Sequence, residues 1–195
     1  MTLLITGSHG FLGRHLRLLL ASRGVDALLA DRHNWNELEA LVAQADRIIH
    51  LAGVNRGSDT EVREGNLALA DDVIRACGTQ RARTIVYANT IHAGRDDAYG
   101  IGKQGAAKLF ASWRDASEGI FVDIHLPNLF GEEGRPFYNS VVATFVEQLA
   151  TGSPAQVGRA QIPLLHVQQA AHALLHACLH PEETREPHGI EISVA

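Results

Sequence analysis

Tyr99 and Lys103 stand four residues apart in Ala98-Tyr99-Gly100-Ile101-Gly102-Lys103. On a helix that spacing puts both side chains on one face, so an ammonium can sit beside a phenol. A neighbouring cation favours the phenolate and lowers a tyrosine pKa from its usual value of about 10. A phenol tuned in this way can protonate a carbonyl oxygen as a hydride reaches the carbon, or run the reverse. Many helices carry Tyr and Lys at this spacing by accident. The pair gains weight from the start of the chain, where Leu3-Leu4-Ile5-Thr6-Gly7-Ser8-His9-Gly10-Phe11-Leu12-Gly13 runs an apolar strand into a glycine-rich turn.

Gly7, Gly10 and Gly13 have the spacing GxxGxxG rather than GxGxxG. Glycines at such a junction allow a tight turn and a close approach to a pyrophosphate, while the helix start offers free N–H groups. Asp31 ends the second apolar run, 18 residues past Gly13. A carboxylate there holds the adenosine ribose hydroxyls of NAD, whereas the guanidinium of the adjacent Arg32 can receive the 2′-phosphate of NADP. The two cues oppose each other, and the choice between NAD and NADP stays open. Ala52 and Gly53, after His50-Leu51, are small enough to let a ribose lie against the backbone, although an ordinary loop exit reads the same way. Asn66 falls in a helical stretch where most asparagines are simply exposed.

These residues need elements to position them. Thr2 to Thr6, Asp26 to Ala30, Arg47 to Leu51, Thr84 to Ala88 and Ile120 to Leu126 read as strands, with Ile190 to Val194 as a closing one. Helices are predicted over about Phe11 to Arg23, Trp35 to Ala45, Thr60 to Cys77, Tyr99 to Ser117, Tyr138 to Ala150 and Val167 to His180. Strand and helix in alternation mean a parallel sheet covered on both faces. Right-handed crossovers make it an α/β, doubly wound parallel sheet of Rossmann type.

At 195 residues and 46% hydrophobic, the chain suits one domain with a sizeable core. A net charge of -5 with no basic block argues against nucleic acid as a partner. No signal peptide and no apolar run near 18 residues is legible, so no membrane partner and a cytoplasmic location are expected. Cys77 and Cys178 form no CxxC or metal spacing and read as reduced thiols.

Together, TGSHGFLG at 6–13, HLAG at 50–53, Asn66, YGIGK at 99–103 and PNLFG at 127–131 resemble the extended branch of the short-chain dehydrogenase/reductase superfamily. The likeness runs over nearly the whole chain. HLAGVNR at 50–56, PNLFG and NSVVATF at 139–145 bring it closer to the reductase half of capsule-biosynthesis enzymes that reduce a UDP-linked 4-keto acetamido sugar. The resemblance implies Tyr99 as acid/base, Lys103 as its partner and Thr90 as the hydroxyl that orients the substrate carbonyl, with Asn89 as fallback. It implies cofactor contacts from Gly7, His9, Gly10, Phe11, Leu12, Gly13, Asp31 and Arg32. Leu51, Ala52, Gly53, Asn66, Tyr99, Lys103 and Pro127 complete that set. Substrate contacts are expected from Asn55, Arg56, His92, Asn128, Arg135 and Asn139, although His92 reads equally as an exposed loop residue.

The resemblance further implies an NAD(P)-dependent oxidoreductase acting on a nucleotide-linked deoxysugar, with residues 1–126 as dinucleotide-binding core and 127–195 as a reduced substrate-binding part. Two departures stand out. The chain is shorter than most extended members, and the family's Val-Asp-Asp segment reads Val167-Gln168-Gln169. Ile91-His92 after Thr90, in place of Asp-Glu, argues against a dehydratase. An epimerase with the same triad, or a non-catalytic cofactor-binding sensor or scaffold, are the alternatives. Gly102, Gly105, Ala106, Ala107 and Ala111 leave the Tyr99 helix free to pack closely, on the sheet or on another helix. In the family that helix helps build a dimer, so a homodimer is expected. His172, His176 and His180 line one helix face, but no further ligand pattern accompanies them. A metal site is not expected there.

Overall fold

The computed structural model describes residues 1–78, 83–155, 161–184 and 190–193. Its centre is a five-stranded, all-parallel sheet in the order β2-β1-β3-β4-β5. The strands are β1 (Leu3–Thr6), β2 (Ala27–Ala30), β3 (Arg47–His50), β4 (Thr84–Thr90) and β5 (Ile120–Leu126). Helices α1 (Phe11–Ser22), α2 (Leu38–Gln44), α3 (Asp59–Cys77) and α4 (Ala98–Asp115) connect them. The chain leaves β1 toward β2 and returns to β3 on the other side. The reversal opens a crevice at the carboxyl ends of β1 and β3, the place where such sheets bind ligands.

Each face of the sheet buries its own core. On one face Leu3, Ile5, Leu16, Ile49, Val86 and Ile124 pack with Leu174 and Cys178 of a later helix, α6 (Val167–Leu179). On the other, Leu4, Ile48, Ile85 and Tyr87 pack with Val73, Phe110 and Trp113 of α3 and α4. Arg47 reaches across to the Cys178 and Leu179 carbonyls and ties the end of α6 to the start of β3. Part of the stretch assigned by sequence to substrate binding therefore also closes the sheet. Cys77 and Cys178 are free and buried in opposite cores, and burial pushes their thiols up to about 11 and about 12.

Beyond β5 the chain builds a second sheet from β6 (Asn128–Phe130), β7 (Gln161–His166) and β8 (Ile190–Ser193), with α5 (Val141–Ala150) between β6 and β7. β6 and β7 are parallel and β8 runs antiparallel to β7. Three readings change here. β6 and β7 are strands where none was predicted, and β8 closes this small sheet rather than the central one. Val194 lies outside the described residues. The helix predicted from Tyr138 starts at Val141, because Phe137 and Asn139 adopt φ values of 56° and Ser140 caps the helix through the Ala143 N–H.

Gly102 and Gly105 serve the packing of α4 on α3. A Cβ on Gly102 would lie 3.1 Å from the Arg63 Cα, and one on Gly105 would lie 2.6 Å from a Leu67 methyl. His172, His176 and His180 are all exposed, with His172 beside Arg23 and the other two rings 5.1 Å apart.

Candidate active site

The turn after β1 is built by backbone meeting backbone. Gly7 has φ 66°, and a Cβ on it would lie 2.7 Å from the Ala52 nitrogen. A Cβ on Gly13 would lie 2.5 Å from the Gly7 oxygen. Gly10 begins α1 with no side-chain cap, and beyond the Gly7 oxygen at 3.2 Å its Cβ position is open. The first amides of α1, at Phe11, Leu12 and Gly13, thus face an uncapped helix start.

At the end of β2, Asp31 accepts the His33 N–H at 2.6 Å, and its other oxygen lies 2.5 Å from His9 Nδ1. The His33 bond, then the charge of His9, hold its carboxyl below the usual value against the opposing effect of desolvation. His9 thereby joins the glycine turn to the acid that follows β2. Arg32 is exposed beside it.

The loop after β3 is pinned from two sides. Thr6 Oγ1 lies 2.8 Å from His50 Nδ1 and accepts the Ala52 N–H at 3.3 Å. Asn66 is buried, not exposed. Its amide donates to the Val54 and Val62 carbonyls, and its oxygen accepts the Val54 N–H. That amide is spent on holding residues 51–54, which gives Asn66 a positioning duty. Gly53 and Asn55 are exposed on this loop.

Thr90 ends β4. Its hydroxyl accepts the His92 N–H at 3.2 Å, leaving its own hydrogen for a carbonyl oxygen. Asn89 is engaged elsewhere: its oxygen takes the Thr90 N–H and its NH₂ group donates to Asp123. Tyr99 occupies the first turn of α4, which Asp97 caps through the Gly100 N–H. Lys103, one turn on, is buried, donates to the Ala88 carbonyl at 2.7 Å and lies 4.0 Å above the Tyr87 ring.

The electrostatics correct one sequence expectation. Burial, with help from the Asp97 charge, pushes the Tyr99 phenol above its ordinary value, not below it. Lys103 does not tune it here, because its ammonium is turned to Ala88 and Tyr87 and burial pushes it down to about 7. Tyr99 is therefore a protonated phenol at neutral pH, which is the donor form.

The segment after β6 folds back over the crevice. His15 Nε2 lies 2.9 Å from the Glu132 oxygen, and Arg14 pairs with Glu133 at 2.8 Å. Arg56 donates to the Phe137 carbonyl at 2.6 Å and stacks 4.3 Å from the centre of the Tyr138 ring, with Arg135 at 5.2 Å from the same ring. Asn128 donates to the Pro163 carbonyl, and the Nδ1 of His92 is buried without a partner. Pro127 is buried where β5 ends. Tyr87, His50, Thr6 and Asp123 were not singled out by the sequence, since each sits in a strand that reads as apolar core.

The sequence pattern of the NAD dependent epimerase/dehydratase family matches residues 3–193. The chain belongs to that family. Within the epimerase/dehydratase family, it is 34% identical over 182 residues to a UDP-2-acetamido-2,6-beta-L-arabino-hexul-4-ose reductase from Pseudomonas aeruginosa. That match covers 90% of this chain and 49% of the reductase, so the chain spans about half the length of the curated relative it matches. The capsular polysaccharide assembling protein CapF of Staphylococcus aureus superposes with a TM-score of 0.79 at 27% identity, over 100% of this chain and 55% of CapF. The Thermus thermophilus UDP-glucose 4-epimerase, solved with NAD, shares the fold at a TM-score of 0.80 and 18% identity, over 100% of this chain and 80% of the epimerase.

Proposed function

We propose that this chain carries the dinucleotide site and proton-transfer groups of an NAD(P)H-dependent reductase, acting on a keto group of a nucleotide-linked deoxysugar. The observation that carries the reading is the placement of Tyr99 in the first turn of α4, with Lys103 one turn on and Thr90 at the end of β4. The relationship to the Pseudomonas reductase supports a UDP-linked 4-keto sugar as substrate.

The open start of α1 and the Asp31 carboxylate fit a dinucleotide. The amides at Phe11, Leu12 and Gly13 would receive its pyrophosphate, and Asp31 or Arg32 its adenosine ribose. Leu51, Ala52, Gly53 and Pro127 would wall the crevice between them. The bound cofactor supplies a hydride to the carbonyl carbon. Thr90 donates to the carbonyl oxygen and fixes its direction, and Tyr99 delivers the phenolic proton to that oxygen as the alcohol forms. Lys103, seated on the Ala88 carbonyl one turn on from Tyr99, would meet the cofactor's ribose. Arg56, Arg135, Asn55 and Asn139 would hold the diphosphate and sugar, for which a guanidinium fork is well suited. His92, whose N–H meets the hydroxyl of Thr90, and Asn128 would meet the sugar.

Among the described residues no helix is long and apolar enough to cross a membrane. A homodimer through α3 and α4 belongs to this reading and is checked by light scattering. The reaction itself is tested by mixing the protein with a UDP-linked 4-keto-6-deoxy acetamido sugar and NADH or NADPH. One nicotinamide consumed per sugar reduced supports the proposal. Sugar conversion without net cofactor consumption marks an epimerase, and no affinity for either cofactor marks a scaffold.

A further inference from the structure

We propose that Asp123 is a positioning residue for Lys103, a carboxylate delivered by β5 that keeps the ammonium charged and seated over β4. The inference rests on the role given above to Tyr99 and Lys103.

Register brings the groups together. β4 and β5 pair with Tyr87 opposite Asp123 and Asn89 opposite His125. Residues two apart on a strand share a face, so these four side chains lie on one side of the sheet. It is the side that Tyr87 shares with Phe110 and Trp113 of α4. Lys103 descends from α4 onto the same place, over the Tyr87 ring. Directly opposed residues on paired strands are close neighbours, so the carboxylate lies beside the ring that carries the ammonium.

Asp123 is out of character with its strand. β5, an edge strand, reads Ile-Phe-Val-Asp-Ile-His-Leu, and Asp123 is a partly buried charge among apolar neighbours, costly unless paired. One of its oxygens takes the Asn89 NH₂ group at 3.1 Å and lies 3.2 Å from His125 Nε2. The other, Oδ1, is buried with no hydrogen-bond partner. A buried carboxylate oxygen without a hydrogen-bond partner is uncommon and calls for an explanation. Serving as a counter-charge explains it.

The charges point the same way. Burial pushes Lys103 down to about 7, and Asp123 is the charge that opposes this fall. The other titratable groups clustered there offer no negative charge near neutral pH. His50 of β3 is held neutral, with its pKa pushed down to about 3, and the phenols of Tyr87 and Tyr99 are both pushed up. Burial pushes the Asp123 carboxyl above its usual value, and Asn89, His125 and Lys103 work against that rise and favour the anion.

Lys103 and Lys108 are the two lysines of the chain, which permits a direct test. In protein labelled with ¹³C-lysine, NMR titration follows both ammonium groups, with the exposed Lys108 as internal control. Asp123→Asn is expected to weaken proton binding at Lys103 about tenfold or more, as loss of a close opposite charge does. Asp123→Glu should restore it, and Lys108 should not move. Asp123→Ser provides the same charge removal if the Asn variant does not fold. In the same variants the alkaline fall of kcat should shift to lower pH by the same margin. An unmoved Lys103 midpoint in the folded Asn or Ser variant overturns the proposal. The titration reads a proton and not turnover, so its outcome stands apart from the fate of the Tyr99 mechanism.

Discussion

Asn66 grips the backbone of Val54 at both its polar groups, donating to the carbonyl at 2.6 Å and accepting the N–H at 3.3 Å. A second donation to the Val62 carbonyl at 2.7 Å anchors the amide to its own helix. A helix side chain thus sets the path of the loop after β3, which the proposed function makes a wall of the dinucleotide crevice. Asn66→Ala is expected to cost about 1–3 kcal/mol of stability, the usual penalty for stranding partly buried polar groups. The KM for NAD(P)H should rise while kcat changes little. Denaturant unfolding together with cofactor kinetics checks both, and unchanged stability would mean the clamp is idle.

The glycine turn offers a sharper contrast. A Cβ at Gly13 would meet two backbone oxygens, those of Gly7 and Ser8, within 2.7 Å, and backbone cannot swing aside as a side chain can. Gly13→Ala is therefore expected to lose about 1–3 kcal/mol and at least tenfold in dinucleotide affinity. Thermal melting and a nicotinamide fluorescence titration measure the two effects. Wild-type affinity in a destabilised variant would separate the turn from the binding site.

His50 makes stability depend on pH. Burial first, then the Lys103 charge, lowers its pKa from 6.5 to about 3. Between those values the unfolded chain takes up a proton that the folded chain refuses, so stability must fall as pH falls through that window. His50→Asn should flatten that slope between pH 6.5 and pH 5, even though it lowers stability overall by disturbing Thr6, Tyr87 and Phe110. Parallel slopes in the two proteins would remove His50 as the cause.

Arg56 joins the loop after β3 to the segment after β6 through Phe137 and Tyr138. In the proposed reaction Arg56→Ala should raise the KM for the sugar nucleotide about tenfold and leave the KM for the cofactor near wild type. Arg56→Lys should rescue only in part, because an ammonium lacks the planar fork. A change confined to the cofactor KM would move Arg56 to the other end of the crevice.

The central sheet was legible because its strands are short apolar runs separated by helical periodicity, and Leu4, Ile5, Ile48 and Ile49 are all buried as that pattern requires. The second sheet was not. β6 has three residues and β7 carries Pro163, a residue that argues against a strand when read locally. The start of α5 was misplaced because the positive φ values at Phe137 and Asn139 have no glycine to announce them. Gly7, Gly13 and Asp31 could be picked out by position alone, and Thr90, with Asn89 as fallback, only through the family resemblance. Asp123 and Tyr87 could not, since their meeting depends on the pairing of β4 with β5, which no local pattern encodes. The direction of the Tyr99 shift escaped for a related reason: four-residue spacing brings Lys103 to the right face, but the Ala88 carbonyl decides where its ammonium goes.

The central claim is that Tyr99 moves the proton. Tyr99→Phe removes one oxygen from a half-buried ring, so folding and cofactor binding should survive it. The decisive measurement pairs a nicotinamide fluorescence titration with the rate of sugar-dependent NAD(P)H oxidation in wild type and Tyr99→Phe. The expected result is cofactor affinity within about twofold of wild type and kcat lower by about 10²–10⁴. Turnover retained at the wild-type rate, with cofactor still bound, would contradict the account.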